Sequence, residues 1–218
     1  GIEKEVEVTR TKITIEEVYP EIINDEIGYI EIVEFEGKAG KQLAEIKNDF
    51  IDKGIKGLII DLRDNPGGGL NTLLEVSDIF LDNKLVTWFE NGDGSKEEYF
   101  TKSGSWDIPV VILVNENTAS AAEAFSGAMQ DYKNAILVGK ETFGKGIVQN
   151  VYKLRDGTLI KFTASKYYTP NGRNFDKNGI KPDYEVEADT LDWENAQYKK
   201  AVELIKEKIS KEGDYKWD

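Results

Sequence analysis

The chain has 218 residues, enough for one α/β domain with a short appendage, since domains commonly run to about 100–200 residues. A hydrophobic fraction of 39% beside 32% charged residues excludes a disordered or membrane-spanning polypeptide. With no His and no Cys it cannot supply a Ser-His-Asp triad, a thiol nucleophile, a disulfide or a His/Cys zinc site, and its net charge of −13 repels nucleic acid and anionic membranes. Hydrolytic chemistry is left to hydroxyls, carboxylates, lysines or a carboxylate-bound metal; no cofactor is expected and no metal site is assigned.

The chain opens on Gly1 rather than Met, which suggests a processed protein or an excised piece. Residues 6–15 alternate and are rich in β-branched types, predicting an edge strand. A second strand is expected over 27–35, broken by Gly37, and then a helix over 41–53 with Leu43, Ile46, Phe50 and Ile51 on one face. The continuous apolar run 55–62 reads as a strand buried on both faces of a parallel sheet. After the loop 63–69 come a helix over 70–81, short strands near 85–89 and 97–101 around the turn Asn91-Gly92-Asp93-Gly94, a buried strand at 110–114, a helix over 120–132 and a strand at 135–139. Beyond Lys145 the pattern alternates as a hairpin, 147–154 and 158–168, and 192–210 carries Tyr198, Ala201, Leu204, Ile205 and Ile209 at helical spacing. Repeated βα units followed by a hairpin and a helix make the fold class α/β, with functional loops at strand ends.

Three segments could carry chemistry. Gly139 to Lys145 satisfies most of a phosphate-binding loop, but Gly146 stands where Ser or Thr should bind Mg²⁺ and a strand follows where a helix must start. Ser120 lies where a strand gives way to a small-residue helix, among free N–H groups that favour a nucleophile, yet Ser120 with Glu123 also has the spacing of a capping box. Gly67, Gly68 and Gly69 form either a flexible turn or a loop whose N–H groups face an oxyanion. Together, a hydroxyl at a helix start, a lysine between glycines and a glycine loop are the parts that Ser-Lys acyl transfer needs without histidine.

The blocks Leu62-Arg63-Asp64-Asn65-Pro66-Gly67-Gly68-Gly69, Thr118-Ala119-Ser120-Ala121-Ala122-Glu123 and Thr142-Phe143-Gly144-Lys145-Gly146-Ile147-Val148-Gln149 resemble the signatures of the carboxyl-terminal processing (tail-specific) proteases, in the right order and with Ser120 and Lys145 25 positions apart. The segments 168–173 and 179–183 are similar to that family's downstream regions. The resemblance implies a crotonase-like βα core with an added hairpin region and C-terminal helix, acting as a serine endopeptidase. Ser120 would be the nucleophile, Lys145 the base and Gln149 the residue that orients it. Gly67, Gly68 and the Ala121 N–H would form the oxyanion hole, with Glu123, Asp131 and Thr142 in support. Thr118 and Ala122 depart from the family, where serines are common. Substrates would be polypeptides with unstructured or exposed C-terminal tails, and the full-length protein would carry a peptide-binding PDZ domain and work outside the cytoplasm. Residues 1–15 would be a remnant of that domain or a linker, and 16–218 the Ser-Lys protease core. A crotonase-type acyl-CoA enzyme and an inactive peptide-binding scaffold are the competing possibilities. A lysine acts as base only when neutral, so Lys145 is expected to be withdrawn from water, with Gly144 and Gly146 leaving room around it and Gln149 accepting from its amine.

Overall fold

The computed structural model describes residues 16–102, 104–190 and 192–212. The expected strand at 6–15 lies outside them.

Ten strands and four helices follow in the order β1 (Val18–Asn24), β2 (Ile27–Ile32), α1 (Ala39–Asp52), β3 (Gly57–Asp61), α2 (Leu70–Ser77), β4 (Leu85–Asn91), β5 (Lys96–Phe100), β6 (Val110–Val114), α3 (Ala121–Asp131), β7 (Ala135–Gly139), β8 (Ile147–Lys153), β9 (Leu159–Tyr168), β10 (Tyr184–Glu185) and α4 (Ala196–Glu212). The main sheet runs β1-β2-β3-β6-β7-β10, parallel throughout except for β1, and a second antiparallel sheet runs β5-β4-β9-β8.

Every residue of β3 and β6 is buried, because alternate side chains serve two different cores. Leu58, Ile60, Val110 and Ile112 face Leu43, Phe50, Leu73, Phe125 and Met129 from α1, α2 and α3. Ile59, Val111 and Leu113 face Tyr198, Ala201, Leu204 and Ile205 of α4. The C-terminal helix therefore closes the far side of the sheet, and the strand ends between the two layers become a platform for loops.

Three boundaries differ by more than two residues from the sequence expectation. β2 stops at Ile32, and Phe35 instead bridges Gly68, accepting the Gly69 N–H (2.8 Å) and donating to the Gly67 carbonyl (2.7 Å). α2 stops at Ser77, with Ile79, Phe80 and Leu81 in turns bonded back to Val76 and Ser77. α4 starts at Ala196 because Asn195 Oδ1 accepts the N–H groups of Gln197 (3.0 Å) and Tyr198 (3.4 Å), the arrangement of an N-cap.

One buried polar group anchors α4 to the sheet. Asp61, at the end of β3, accepts from Tyr29 Oη (2.7 Å) and from Arg63 Nε and Nη2, and Arg63 donates onward to Asn195 Oδ1 (3.1 Å) and the Trp193 carbonyl (3.0 Å). Burial works against the charged guanidinium, but the hydrogen bonds and charge of Asp61 outweigh it and raise its pKa. These residues line a cleft of about 640 Å³, and the charges in them are already matched to one another. With both side chains of the ion pair 10% exposed or less, Arg63→Ala should leave Asp61 short of its main partner and cost about 3–5 kcal/mol in a urea titration. A loss under about 1 kcal/mol, the size of a surface pair, would show that the anchor is not structural.

Candidate active site

Ser120 ends the loop between β6 and α3 and takes φ 57° and ψ −117°, a left-handed conformation unusual for a residue with a side chain. Strain of this kind costs about 1–3 kcal/mol and persists only where the surroundings fix it. The Ala119 N–H donates to the Asn65 carbonyl (2.9 Å), and the Ser120 N–H donates to Glu123 Oε2 (2.8 Å). The strand-to-helix turn thus sets Ser120, 9% exposed as a residue, at the positive end of α3.

Glu123 is fully buried and is the hub of the site. Its Oε1 accepts from Thr142 Oγ1 (2.5 Å) and the Gly144 N–H (2.7 Å), while its Oε2 accepts from the N–H groups of Ser120 and Lys145 (2.8 Å each). Burial pushes the carboxyl above its ordinary pKa, and the hydrogen bonds from Thr142, Lys145, Gly144 and Ser120 pull it part of the way back. Thr142 Oγ1 in turn accepts the Ile180 N–H (2.6 Å), and the Phe143 N–H donates to the Thr118 carbonyl (3.0 Å). One anion therefore ties the segment carrying the lysine to the segment carrying the serine.

The glycine loop closes the third side. A Cβ on Gly67 would stand 2.6 Å from the Ala119 carbonyl oxygen, 2.7 Å from Ser120 Cβ and 2.8 Å from the Ala121 nitrogen, and its φ of +97° is one that side chains rarely adopt. Only glycine lets this loop lie against the serine. The Gly67 N–H is already engaged, donating to Asn65 Oδ1 (2.8 Å), so Gly67 contributes close approach rather than a free donor. The Gly68 and Ala121 N–H groups have no hydrogen-bond partner among the described residues, as an oxyanion site requires.

Lys145 corrects the sequence expectation. Its backbone is held by Glu123, but the residue is exposed, and its amine forms no ion pair or hydrogen bond among the described residues. The flanking glycines leave no empty space for it. A Cβ on Gly146 would meet the Asp176 nitrogen at 2.4 Å and one on Gly144 the Gly179 nitrogen at 2.9 Å, so these glycines admit the backbone of 176–179. Gln149 is likewise exposed, next to a register shift between Val148 and Gln149 in the pairing with β9. Bulges of this kind re-aim side chains beside active sites. Asp131 lies at the other end of α3, about 16 Å along the helix from Ser120 at 1.5 Å per residue, where it pairs with Arg173 and accepts the Asn171 N–H (2.9 Å). It supports the 169–173 loop and does not touch the serine. The phosphate-loop alternative fails on local structure, since β8 and not a helix follows Lys145.

A family model described as peptidase family S41 matches residues 26–186. The chain belongs to peptidase family S41. Within that family it is similar to the carboxyl-terminal-processing protease of Synechocystis sp., 37% identical over 187 residues that cover 82% of this chain and 44% of the relative. It is also similar to the carboxy-terminal processing protease CtpA of Bacillus subtilis, 37% identical over 212 residues that cover 96% of this chain and 44% of the relative. Among solved structures, a photosystem II D1 C-terminal processing protease matches with a TM-score of 0.75 at 28% identity, covering 87% of this chain and 54% of that one. The S41 chain spans about half the length, or less, of the curated relatives it matches.

Of the positions singled out in this S41 sequence, the structure brings together Ser120, Ala121, Gly67, Gly68, Glu123, Thr142 and the backbone of Lys145. Sequence reasoning missed Asn65, whose Nδ2 donates to the Ile32 carbonyl (2.6 Å) while its Oδ1 holds the Gly67 N–H. An Asn just before Pro-Gly-Gly was the available signal, since Asn side chains commonly bind backbone groups two residues on.

Proposed function

We propose that this chain is the catalytic core of a serine endopeptidase that cleaves unfolded or tail-exposed polypeptides through a Ser120–Lys145 dyad. Ser120 Oγ attacks the scissile carbonyl as Lys145 takes its proton, and the carbonyl oxygen gathers charge against the Gly68 and Ala121 N–H groups; the C–N bond then breaks as Lys145 passes that proton to the leaving amine, and water, deprotonated by Lys145, hydrolyses the acyl ester to a carboxylate and frees Ser120. The observation that carries this reading is the Glu123 carboxylate, which holds the Ser120 and Lys145 backbones at 2.8 Å each. Family membership and the names of the relatives support the reaction class. The core is crotonase-like in this reading, with 16–218 as the protease core and 1–15 as a remnant of a PDZ domain or a linker to one, in a full-length protein working outside the cytoplasm. Among the described residues no helix is long and apolar enough to cross a membrane.

The exposed Lys145 favours a second reading, in which the dyad is unassembled and the chain binds polypeptide without cutting it. Incubation with an unfolded protein and with the same protein folded separates the two. The dyad reading expects cleavage of the unfolded form and little change when the C-terminus of a test peptide is amidated, because the blocks that carry the chemistry all lie within residues 62–149. Binding without cleavage at any substrate concentration would establish the scaffold instead.

A further inference from the structure

Asp64 precedes the glycine loop and adopts φ 61°, again a left-handed conformation in a residue with a side chain. Its Oδ1 accepts from Asn115 Nδ2 (3.0 Å) and Asn117 Nδ2 (2.7 Å), and its N–H donates to Asn115 Oδ1 (2.9 Å). Asn115 Oδ1 also accepts the Asn117 N–H (3.1 Å), so one exposed carboxylate gathers the start of the nucleophile loop. On the inner side, Thr118 Oγ1 donates to the Leu62 carbonyl (2.7 Å) and the Ala119 N–H to that of Asn65 (2.9 Å). The two loops are thereby laced at both faces, just before they continue into Gly67 and Gly68 on one side and Ser120 and Ala121 on the other.

Asp64 contributes to no hydrophobic core, and nothing in the mechanism above uses it. What the lacing fixes is the offset between the Ser120 hydroxyl and the Gly68 donor, across a gap that a single Cβ on Gly67 would already overfill. Resting on the serine–lysine reading, we propose that Asp64 is a positioning residue that holds the glycine loop against the nucleophile loop in the register acyl transfer requires. A displacement of about 1 Å in such a register can cost on the order of 10²-fold in rate. An exposed side chain whose loss leaves the core intact gives a rate effect without a matching stability effect.

The test is single-turnover acylation of Ser120 in the whole protein by an ester probe, read beside the thermal midpoint and the KM for a peptide. Asp64→Ala should slow acylation by about tenfold or more with KM near wild type, while the midpoint falls only by the modest cost of placing Ala at a positive φ. Asp64→Asn should recover most of the rate, because its Oδ1 still accepts from the two Asn side chains and Asn tolerates the left-handed backbone. Asn117→Ala should slow the reaction too, and the Asp64→Ala, Asn117→Ala pair should be no slower than Asp64→Ala alone, since both remove one connection. If Asp64→Ala does not fold, Asn117→Ala and Asp64→Asn carry the test. Wild-type acylation rates in these variants, or equal losses of rate and thermal midpoint with no rescue by Asn, overturn the positioning role. Absence of any acylation of wild-type Ser120 overturns the serine reading itself, and Asp64 falls with it.

Discussion

Ser120→Ala should abolish proteolysis and leave the fold standing. Ser120 is the N-cap of α3, and Glu123 three residues on closes the capping box onto its N–H. Loss of a capping hydroxyl costs about 0.5–2 kcal/mol, a small part of the roughly 5–15 kcal/mol that stabilises a domain. The Ser120 N–H and its carboxylate partner are untouched by the substitution. Cleavage of an unfolded protein and a urea titration, both on the same mutant, decide the matter. An active mutant with a lowered midpoint would mean that Ser120 is a cap and nothing more.

The second large effect is at Glu123, where stability and activity should fail together. Glu123→Ala strips the acceptor from four donors at once: Thr142 Oγ1 and the N–H groups of Gly144, Lys145 and Ser120. Each buried donor left without a partner costs about 1–3 kcal/mol, so the loss should be about 4 kcal/mol or more. Glu123→Gln is informative because it keeps the volume. The amide offers one oxygen, and its NH₂ must face either Thr142 and Gly144 or Ser120 and Lys145, so at least one backbone N–H is orphaned and the loss should be about 1–3 kcal/mol. The pH dependence has a definite sign. Because the folded pKa of Glu123 is raised, its protonated form contributes stability below the unfolded carboxyl range, and that contribution is lost as pH rises through the folded pKa. This step should be missing from urea titrations of Glu123→Gln across acidic pH. Equal stability of wild type, Gln and Ala mutants would remove Glu123 from the centre of the site.

How far these features could be read in the sequence depended on whether their cause was local. β3 and β6 stand out because burial on both faces makes each a continuous apolar run. β1 does not, because it is an exposed edge strand containing Pro20, which an edge tolerates and a propensity count rejects. β10 is two residues long and exists only through its pairing with β7. At the candidate site, the strand-to-helix setting of Ser120 and the glycine-flanked setting of Lys145 were legible, and the Ser120–Glu123 spacing already pointed to the capping box. That the same carboxylate also reaches Thr142, Gly144 and Lys145 was not legible, since those contacts span 19 to 22 residues. The Asp64 contacts, 51 and 53 residues long, were hidden for the same reason. The expectation that Gly144 and Gly146 leave room to bury a lysine failed because distant backbone, residues 176–179, fills that room.

In the serine–lysine mechanism Ser120 is the group acylated, and Lys145 makes it reactive. This is tested most directly by treating the whole protein with a serine-directed acylating probe, locating the adduct by peptide mass mapping, and repeating the reaction with Lys145→Ala. The adduct should sit on Ser120 alone, and labelling of Lys145→Ala should be slower by about 10²-fold or more, the usual worth of a general base. An adduct on another residue, or equal labelling of the two proteins, would contradict the account.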